Sequence, residues 1–151
     1  MNDEYYMEFA IKEALKAADI DEVPVGAVIV DKNNIIIGTG FNRPISSNDP
    51  TSHAEINAIR MASKASNNYR LVDTTLYVTI EPCIMCMGAI IHARIKRVVF
   101  GATDPRWGAA HSLYQMADDN RLNHHPEIIS GICEAQTRQI LKDFFINKRS
   151  N

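Results

Sequence analysis

TLYVTIEPCIMCMGAIIHAR, residues 75–94, places a strand pattern, a pair of cysteines and a helix pattern in direct succession. Residues 75–80 are rich in the β-branched and aromatic residues that favour strands. Pro82 suits the first turn of a helix, and the remainder of the stretch continues as one. The pattern therefore predicts that Cys83 and Cys86 lie where a strand gives way to a helix. Because they are three residues apart, they share one face of that helix.

The rest of the chain alternates helix and strand patterns. Apolar periodicity predicts further helices over residues 3–18, from His53 onward and over 133–148. Thr51 or Ser52 is the expected N-cap of the second of these. Composition predicts strands at residues 25–30, 35–41, 97–100 and 128–129. Strands that alternate with helices indicate an α/β fold in which helices cover a central sheet.

Length and composition fit one globular domain over residues 1–151. The chain is 46% hydrophobic and 23% charged, and no repeat or linker divides it. Its net charge of -2 means that any contact with nucleic acid needs a local basic patch. The acidic N-terminus does not resemble a secretory signal, and no apolar run reaches the ~20 residues of a membrane span. We therefore expect a cytoplasmic protein with reduced thiols and no membrane partner.

Cys83 and Cys86 need further ligands if they hold a metal ion, and His53 is the first candidate. One histidine and two cysteines give three protein ligands. Structural zinc sites use four ligands, whereas catalytic sites use three and leave the fourth position to water. The remaining cysteine, Cys133, falls in the predicted last helix and is interpreted as a small core residue. The sequence thus favours a catalytic zinc site.

Glu55, two residues after His53, is the candidate general acid/base. Zinc lowers the pKa of its bound water toward about 7, and hydrolysis then needs a group that accepts and returns a proton. Residues i and i+2 of a regular helix point about 200° apart, so His53 and Glu55 can share a site only at a helix end. We expect two helix N-termini to converge on the metal, where their partial positive charge favours thiolate.

The combination of His-x-Glu with Pro-Cys-x-x-Cys is more specific than its parts. A redox Cys-x-x-Cys pair is the competing interpretation, but it requires neither the preceding proline nor an upstream His-x-Glu. Together the two motifs match the signature of the zinc-dependent nucleobase deaminases.

Several longer segments carry a family resemblance. They are PVGAVIV (24–30), GTGFNRP (38–44), DPTSHAEINAIR (49–60), LYVTIEPCIMCMGAIIHARIKRVVFGA (76–102) and LKDFF (141–145). Together, over about residues 5–148, the chain resembles the bacterial tRNA-specific adenosine deaminases. The resemblance implies a three-layer α/β/α sandwich of the cytidine-deaminase type, with a mixed five-stranded sheet. It also implies a homodimer that converts adenosine to inosine at the wobble position of a tRNA anticodon, with an arginine tRNA as substrate.

The resemblance also implies individual roles. His53, Cys83 and Cys86 would ligate one Zn²⁺ per subunit, and Glu55 would transfer protons while zinc-activated water attacks C6 of the adenine. The side chain of Asn42 and the backbone of Ala54 would hold the target base. Three further residues would lie near the bound anticodon loop: Asp104, Phe144 and Phe145.

One loop departs from the family pattern. The family has Gly-Ala-x-Gly-Ser where residues 108–112 read GAAHS, preceded by Trp107. His111 therefore stands in place of a glycine, and a backbone conformation open to glycine would be lost there. We interpret His111 as a loop residue rather than a fourth metal ligand. The sequence leaves open whether Trp107 stacks on RNA or packs inward.

Two other functions compete with tRNA deamination. A deaminase of free guanine, cytosine or another small heterocycle would use the same zinc ligands and the same glutamate. A zinc-stabilised RNA-binding module would keep the ligands but would not need Glu55 for its function.

Overall fold

The helices and strands follow the predicted pattern closely. The computed structural model describes residues 2–150, and no helix among them is both long and apolar enough to cross a membrane. Their elements are α1 (Asp3–Asp19), β1 (Gly26–Val30), β2 (Ile36–Phe41), α2 (Ala54–Ser66), β3 (Thr75–Ile80), α3 (Ile84–Ala93), β4 (Arg97–Ala102), β5 (Glu127–Ile129) and α4 (Glu134–Ser150). The predicted elements are confirmed to within two residues at each end.

The five strands form one mixed sheet in the order β2-β1-β3-β4-β5. β1 is antiparallel to both of its neighbours, β2 and β3, whereas β3, β4 and β5 are parallel. Because β2 and β3 both oppose β1, they run in the same direction. The C-terminal ends of β2, β3 and β4 therefore lie at the same edge of the sheet. Open α/β sheets bind their ligands at the carboxyl ends of their strands.

Two apolar clusters lie on opposite faces of the sheet. Along β1, Ala27 and Ile29 belong to the cluster beneath α2 and α3. Val28 and Val30, which alternate with them, belong to the cluster beneath α1, with Ile140 of α4 at its margin. The expected three-layer α/β/α sandwich is thus confirmed. Leu15 departs from the predicted stripe of α1, since it is 46% exposed.

Helix α2 lies unusually close to strand β2. Gly38 and Gly40 face it, and a Cβ atom on either would overlap the carbonyl oxygen of Ala58 or Ala54, respectively. Ala54 and Ala58 are fully buried on the facing side of the helix. The absence of side chains at Gly38 and Gly40 therefore fixes the distance of α2, and of its first turn, from the sheet.

Strand β2 lies at one edge of the sheet, and a methionine covers part of that edge. The Sδ atom of Met61, on α2, accepts the backbone N–H of Thr39 at 3.3 Å and the Thr39 hydroxyl at 3.6 Å. One of the outward-facing N–H groups of the edge strand is thereby satisfied within the chain.

Replacing Gly40 by alanine should push α2 away from the sheet, because the new methyl group has no room. We expect the free energy of unfolding to fall by about 1–3 kcal/mol, as for other overpacked sites, when measured by urea denaturation. Gly88→Ala is the matched control, since a Cβ on Gly88 meets no atom within 4 Å. That change inside α3 should leave stability unchanged or raise it by up to about 1 kcal/mol. Equal stability of the Gly40→Ala protein and the wild type would contradict the close packing.

Candidate active site

The starts of α2 and α3 carry the predicted metal ligands. His53 is the N-cap of α2 and Cys83 is the N-cap of α3, and neither side chain caps its own helix. The prediction that Thr51 or Ser52 caps α2 is wrong, because the chain enters the helix one residue later and the Ser52 hydroxyl bonds the side chain of Asn57. Pro82 likewise precedes the N-cap of α3 rather than lying within its first turn. The side chains of His53 and Cys83 can therefore bind a partner other than their own helices.

Three donor atoms come together at this point. The Nδ1 atom of His53 lies 3.5 Å from the Sγ atom of Cys83 and 3.5 Å from that of Cys86. All three atoms lie within 4.8 Å of one another. Zinc–sulfur distances of about 2.3 Å and a zinc–nitrogen distance of about 2.0–2.1 Å, at tetrahedral angles, place nitrogen and sulfur about 3.6 Å apart. The arrangement fits a tetrahedral zinc ion.

Within residues 2–150, the metal-binding group consists of these three side chains, with no fourth His, Cys or carboxylate. Cys133 precedes α4 and packs, partly buried, against the cluster on the α1 side of the sheet. His111 is also outside the group, as predicted, and its Nδ1 lies 3.6 Å from the carboxylate of Asp118. Three protein ligands are the pattern of a catalytic zinc site rather than a structural one.

Glu55 lies in the first turn of α2 and is only 3% exposed. Burial raises the pKa of Glu55 to about 7, so that the carboxyl group can gain and lose a proton near neutral pH. His53 and Glu55 can share the site because the helix begins between them. His53 has extended backbone angles, φ -79° and ψ 157°, whereas Glu55 is helical.

The two thiols differ in their acidity. A hydrogen bond from Cys86, with a further contribution from His53, lowers the pKa of the Cys83 thiol to about 4. The same thiol–thiol contact raises the pKa of Cys86, and burial adds to the effect. The pair therefore holds a thiolate at neutral pH, which is the form that ligates zinc.

Asn42 and Ala54, which the resemblance assigns to the target base, lie side by side. The Oδ1 atom of Asn42 accepts the backbone N–H of Ala54 at 2.9 Å. The backbone N–H of Asn42 is bonded to Val25, which fixes the residue at the end of β2. Among the residues that the structure describes, the Nδ2 group of Asn42 has no recorded hydrogen-bond partner. It is therefore a donor available to a ligand beside His53.

Glu81 is a buried residue that the sequence analysis missed. It is 2% exposed, and its Oε2 accepts the backbone N–H groups of Ala110, His111 and Ser112 at 3.2, 2.9 and 3.0 Å. Its Oε1 accepts the N–H of Asp104 at 3.1 Å and the Ser112 hydroxyl. Burial opposes ionisation, but these donors together lower the pKa of Glu81. The carboxylate thus anchors the loop after β4 directly beside the cysteine pair.

A second buried carboxylate anchors the loop after β2. Glu22 is 2% exposed and accepts the backbone N–H groups of Ile45 and Ser46 at 3.3 and 2.6 Å. In the sequence, the only sign of either anchor is an acidic residue beside an apolar run. The loops on the two sides of the metal ligands are therefore held in the same way.

The loop that departs from the family pattern is ordered by its own hydrogen bonds. The Oδ1 atom of Asp104 accepts the backbone N–H groups of Arg106 and Trp107 at 3.0 and 3.2 Å. Gly108 forms an antiparallel bridge with Cys83. His111 does not have a positive φ, so the histidine takes the place of a glycine without backbone strain. Trp107 is 66% exposed, and the inward-packing alternative is therefore wrong.

Phe144 and Phe145 lie in the other helical layer. Their ring centroids are 5.4 Å apart, and Phe144 lines a groove between α1 and α4 with Leu15 and Lys148. Phe144 is partly buried and Phe145 is 43% exposed. The structure thus groups Phe144 with the end of α1, and neither ring belongs to the group of three metal donors.

Comparisons with known proteins agree with this geometry. Residues 1–102 match the family of the cytidine and deoxycytidylate deaminase zinc-binding region. A tRNA-specific adenosine deaminase of Haemophilus influenzae is 50% identical over 147 residues, which cover 97% of this chain and 85% of that protein.

Two solved structures are also similar. One, from a study of A-to-I editing by tRNA:A34 deaminases at the wobble position of transfer RNA, has a TM-score of 0.87 and 44% identity, covering 91% of this chain and 99% of the other. The other is guanine deaminase from Bacillus subtilis, with a TM-score of 0.64 and 44% identity, covering 68% of this chain and 66% of that one.

Glu81→Gln should destabilise the protein although the two side chains have the same shape. The amide NH₂ group would face backbone N–H donors, leaving them unpaired, and we expect a loss of about 1–3 kcal/mol in the free energy of unfolding. Glu127→Gln is the control, because that side chain is 62% exposed and its nearest contact with Arg97 is 3.6 Å long. The control should change stability by about 0–1 kcal/mol. If urea denaturation gives equal losses for both variants, Glu81 does not anchor the loop.

Proposed function

The chain belongs to the cytidine and deoxycytidylate deaminase family, and on that premise we propose that it converts adenosine to inosine at the wobble position of a tRNA anticodon. The observation that carries the proposal is the three-donor cluster with buried Glu55 beside it. The 50% identity to a tRNA-specific adenosine deaminase directs the choice among deaminase substrates. The reaction is a hydrolysis in which water enters and ammonia leaves.

The cofactor is Zn²⁺, and we assign one ion per chain to Nδ1 of His53 and to the Sγ atoms of Cys83 and Cys86. When bound, the ion supplies a Lewis acid that makes the attacking water acidic at neutral pH. The donor spacing of 3.5 Å supports this ligand set. The low pKa of Cys83, about 4, supports its thiolate as one of the ligands.

Glu55 is the proposed proton carrier. Its carboxylate accepts a first proton from the attacking water and delivers it to the ring nitrogen next to C6. It then accepts the second proton, from the hydroxyl group that the water has formed on C6, and delivers it to the departing amine as the C–N bond breaks. The group ends each cycle in the state in which it began. A pKa of about 7 suits both steps, because the carboxyl group then accepts and releases the proton with little cost.

Asn42 and Ala54 are the proposed contacts of the target base. The Nδ2 group of Asn42 is an available donor, and the N–H of Ala54 lies against the same amide side chain. The anticodon loop is single-stranded, so the adenine reaches the site at a modest cost in unstacking.

The rest of the anticodon loop is proposed to lie near Asp104, Phe144 and Phe145. The support for the two phenylalanines is the family resemblance, since Lys148, 5.9 Å from the Phe144 ring, is ion-paired with Asp21 at 2.6 Å.

The assembly and substrate range are further proposals. We propose a homodimer, supported by two helices of one layer, α2 and α3, that leave large apolar side chains exposed: Met61 is 50% and Ile84 49% exposed. We propose an arginine tRNA as substrate and the cytoplasm as the location, both from the family resemblance. The shared sheet of the two apolar clusters supports a single deaminase domain over residues 1–151.

A free-base deaminase is the second candidate, favoured by the 44% identity to guanine deaminase over part of the chain. One experiment distinguishes the two candidate functions. The zinc-loaded protein is incubated with an anticodon stem-loop that carries adenosine at the wobble position, and separately with guanine, cytosine and adenine. We expect inosine in the RNA and no ammonia from the free bases. Ammonia from guanine, with no inosine in the RNA, would overturn the proposal.

Glu55→Gln should retain zinc and lose activity, because the side chain transfers protons but does not ligate the metal. We expect kcat on the stem-loop to fall roughly 10²–10⁴-fold. Zinc content by elemental analysis and RNA binding should match the wild type. A variant that deaminates normally would show that Glu55 is not the proton carrier. RNA binding without deamination by the wild type and the variant alike would support the RNA-binding module.

Cys86→Ser should lower both zinc content and activity, because it removes one of three ligands. Cys133→Ser is the matched control, as Cys133 lies on the opposite face of the sheet. The control should keep one zinc ion per chain and wild-type turnover. The ligand assignment fails if Cys86→Ser keeps its zinc through purification in chelator, or if Cys133→Ser loses it.

A further inference from the structure

Trp107 is the only tryptophan of the chain and is 66% exposed. Large aromatic side chains usually bury most of their surface, so an exposed indole close to the metal ligands is a candidate contact surface. Neither zinc binding nor proton transfer uses it. Its position in the loop after β4 brings it to the same edge of the sheet as the metal ligands.

The backbone holds Trp107 firmly beside the site. Its own N–H is bonded to Asp104, and the next residue, Gly108, pairs with Cys83. Buried Glu81 binds the loop on both sides of this point, through the N–H groups of Asp104 and Ala110. Paired strands and consecutive residues have known Cα spacings, which place the Cα atom of Trp107 within about 9 Å of that of Cys83. The backbone that carries the indole thus has little conformational entropy left to lose on binding.

The charge next to the indole indicates which kind of ligand it meets. Arg106 is exposed, and within residues 2–150 its guanidinium has no recorded acidic partner. A flat apolar surface next to a free cation matches single-stranded nucleic acid, in which each base carries its own phosphate. A contact between protein copies would not need the unpaired cation.

We propose that Trp107 stacks on the base of a nucleotide directly flanking the target adenosine, and that Arg106 binds the phosphate of that nucleotide. This inference rests on the proposed function, and it adds a substrate contact outside the metal site. Stacking of this kind tolerates every base, because each has an aromatic face. The contact would hold the neighbouring nucleotide while the adenine enters the site.

Tryptophan fluorescence provides a direct test, because one residue gives the entire signal. The zinc-loaded protein is titrated with the product stem-loop, which carries inosine and does not turn over. Excitation is at the red edge of the indole absorption, where RNA does not absorb. We expect saturable quenching at the same RNA concentration at which an independent binding assay saturates. Saturated binding without a change in fluorescence would overturn the proposal.

Paired substitutions locate the contact. Trp107→Leu should weaken binding of the stem-loop roughly 5- to 150-fold, and Trp107→Phe should recover most of the loss. Tyr69→Leu is the matched control, since Tyr69 is a 72% exposed aromatic residue before β3, at the other end of the sheet. That variant should bind as the wild type does.

The base on which Trp107 stacks is then removed from the RNA. Two stem-loops are prepared, one with an abasic residue on the 5′ side of the inosine and one with an abasic residue on the 3′ side. One of these RNAs should bind the wild type more weakly and bind Trp107→Leu with no further loss. If the losses in binding free energy caused by Trp107→Leu and by the abasic residue are additive at both positions, the proposal is overturned.

The outcomes separate this inference from the proposed function. If the wild type forms inosine in the stem-loop but the substitutions are additive, the stacking inference fails and the deaminase assignment stands. If the wild type forms no inosine, the proposed function fails whatever the fluorescence shows. Fluorescence that changes on dilution of the protein but not with RNA would place Trp107 between two copies of the chain, and would also overturn the inference.

Discussion

The Nδ1 atom of His53 must be held 3.5 Å from each of two cysteine sulfur atoms although the chain separates His53 from Cys83 by 30 residues. The direction of the strands makes this possible. Because β1 opposes both β2 and β3, the helices that follow those two strands begin at the same edge of the sheet. His53 and Cys83 are the N-caps of these helices, and each side chain leaves its helix toward the other. The close packing of α2 against Gly38 and Gly40 then fixes the distance of His53 from the sheet.

The loops around the donors are stabilised by buried carboxylates in addition to apolar packing, which in the loop after β4 includes Ala109, Ala110 and Ala117. Glu22 and Glu81 have little contact with water, yet in each case backbone N–H groups satisfy the carboxylate. Such donors replace hydration without adding a positive side chain. The segments after β2 and β4 can therefore keep a defined shape without regular secondary structure. That order is what allows a reacting base to meet donors already in position.

The sequence predicted the metal-binding group better than its surroundings. The grouping of His53, Cys83 and Cys86 was accessible because residue type and spacing report directly on metal coordination. The proton-transfer role of Glu55 stays a prediction. The start of α2 was misplaced by one or two residues, since Ser52 and His53 are both plausible before a helix and only the local hydrogen bonds decide. Glu81 was missed because its partners are backbone amides, which are the same at every position. The exposure of Leu15 and the location of Phe144 and Phe145 depend on how α1 and α4 meet, which helical periodicity does not contain.

The sulfur atom of Met61 at the outer edge of β2 has a consequence for the behaviour of the chain at high concentration. An uncovered edge strand offers a row of amide groups to which a strand of another molecule can add, and repeated addition leads to aggregation. The thioether occupies one of these groups at Thr39 and places bulk where a new strand would lie. Resistance to aggregation is in this way connected to α2, the same helix whose first turn contains Glu55.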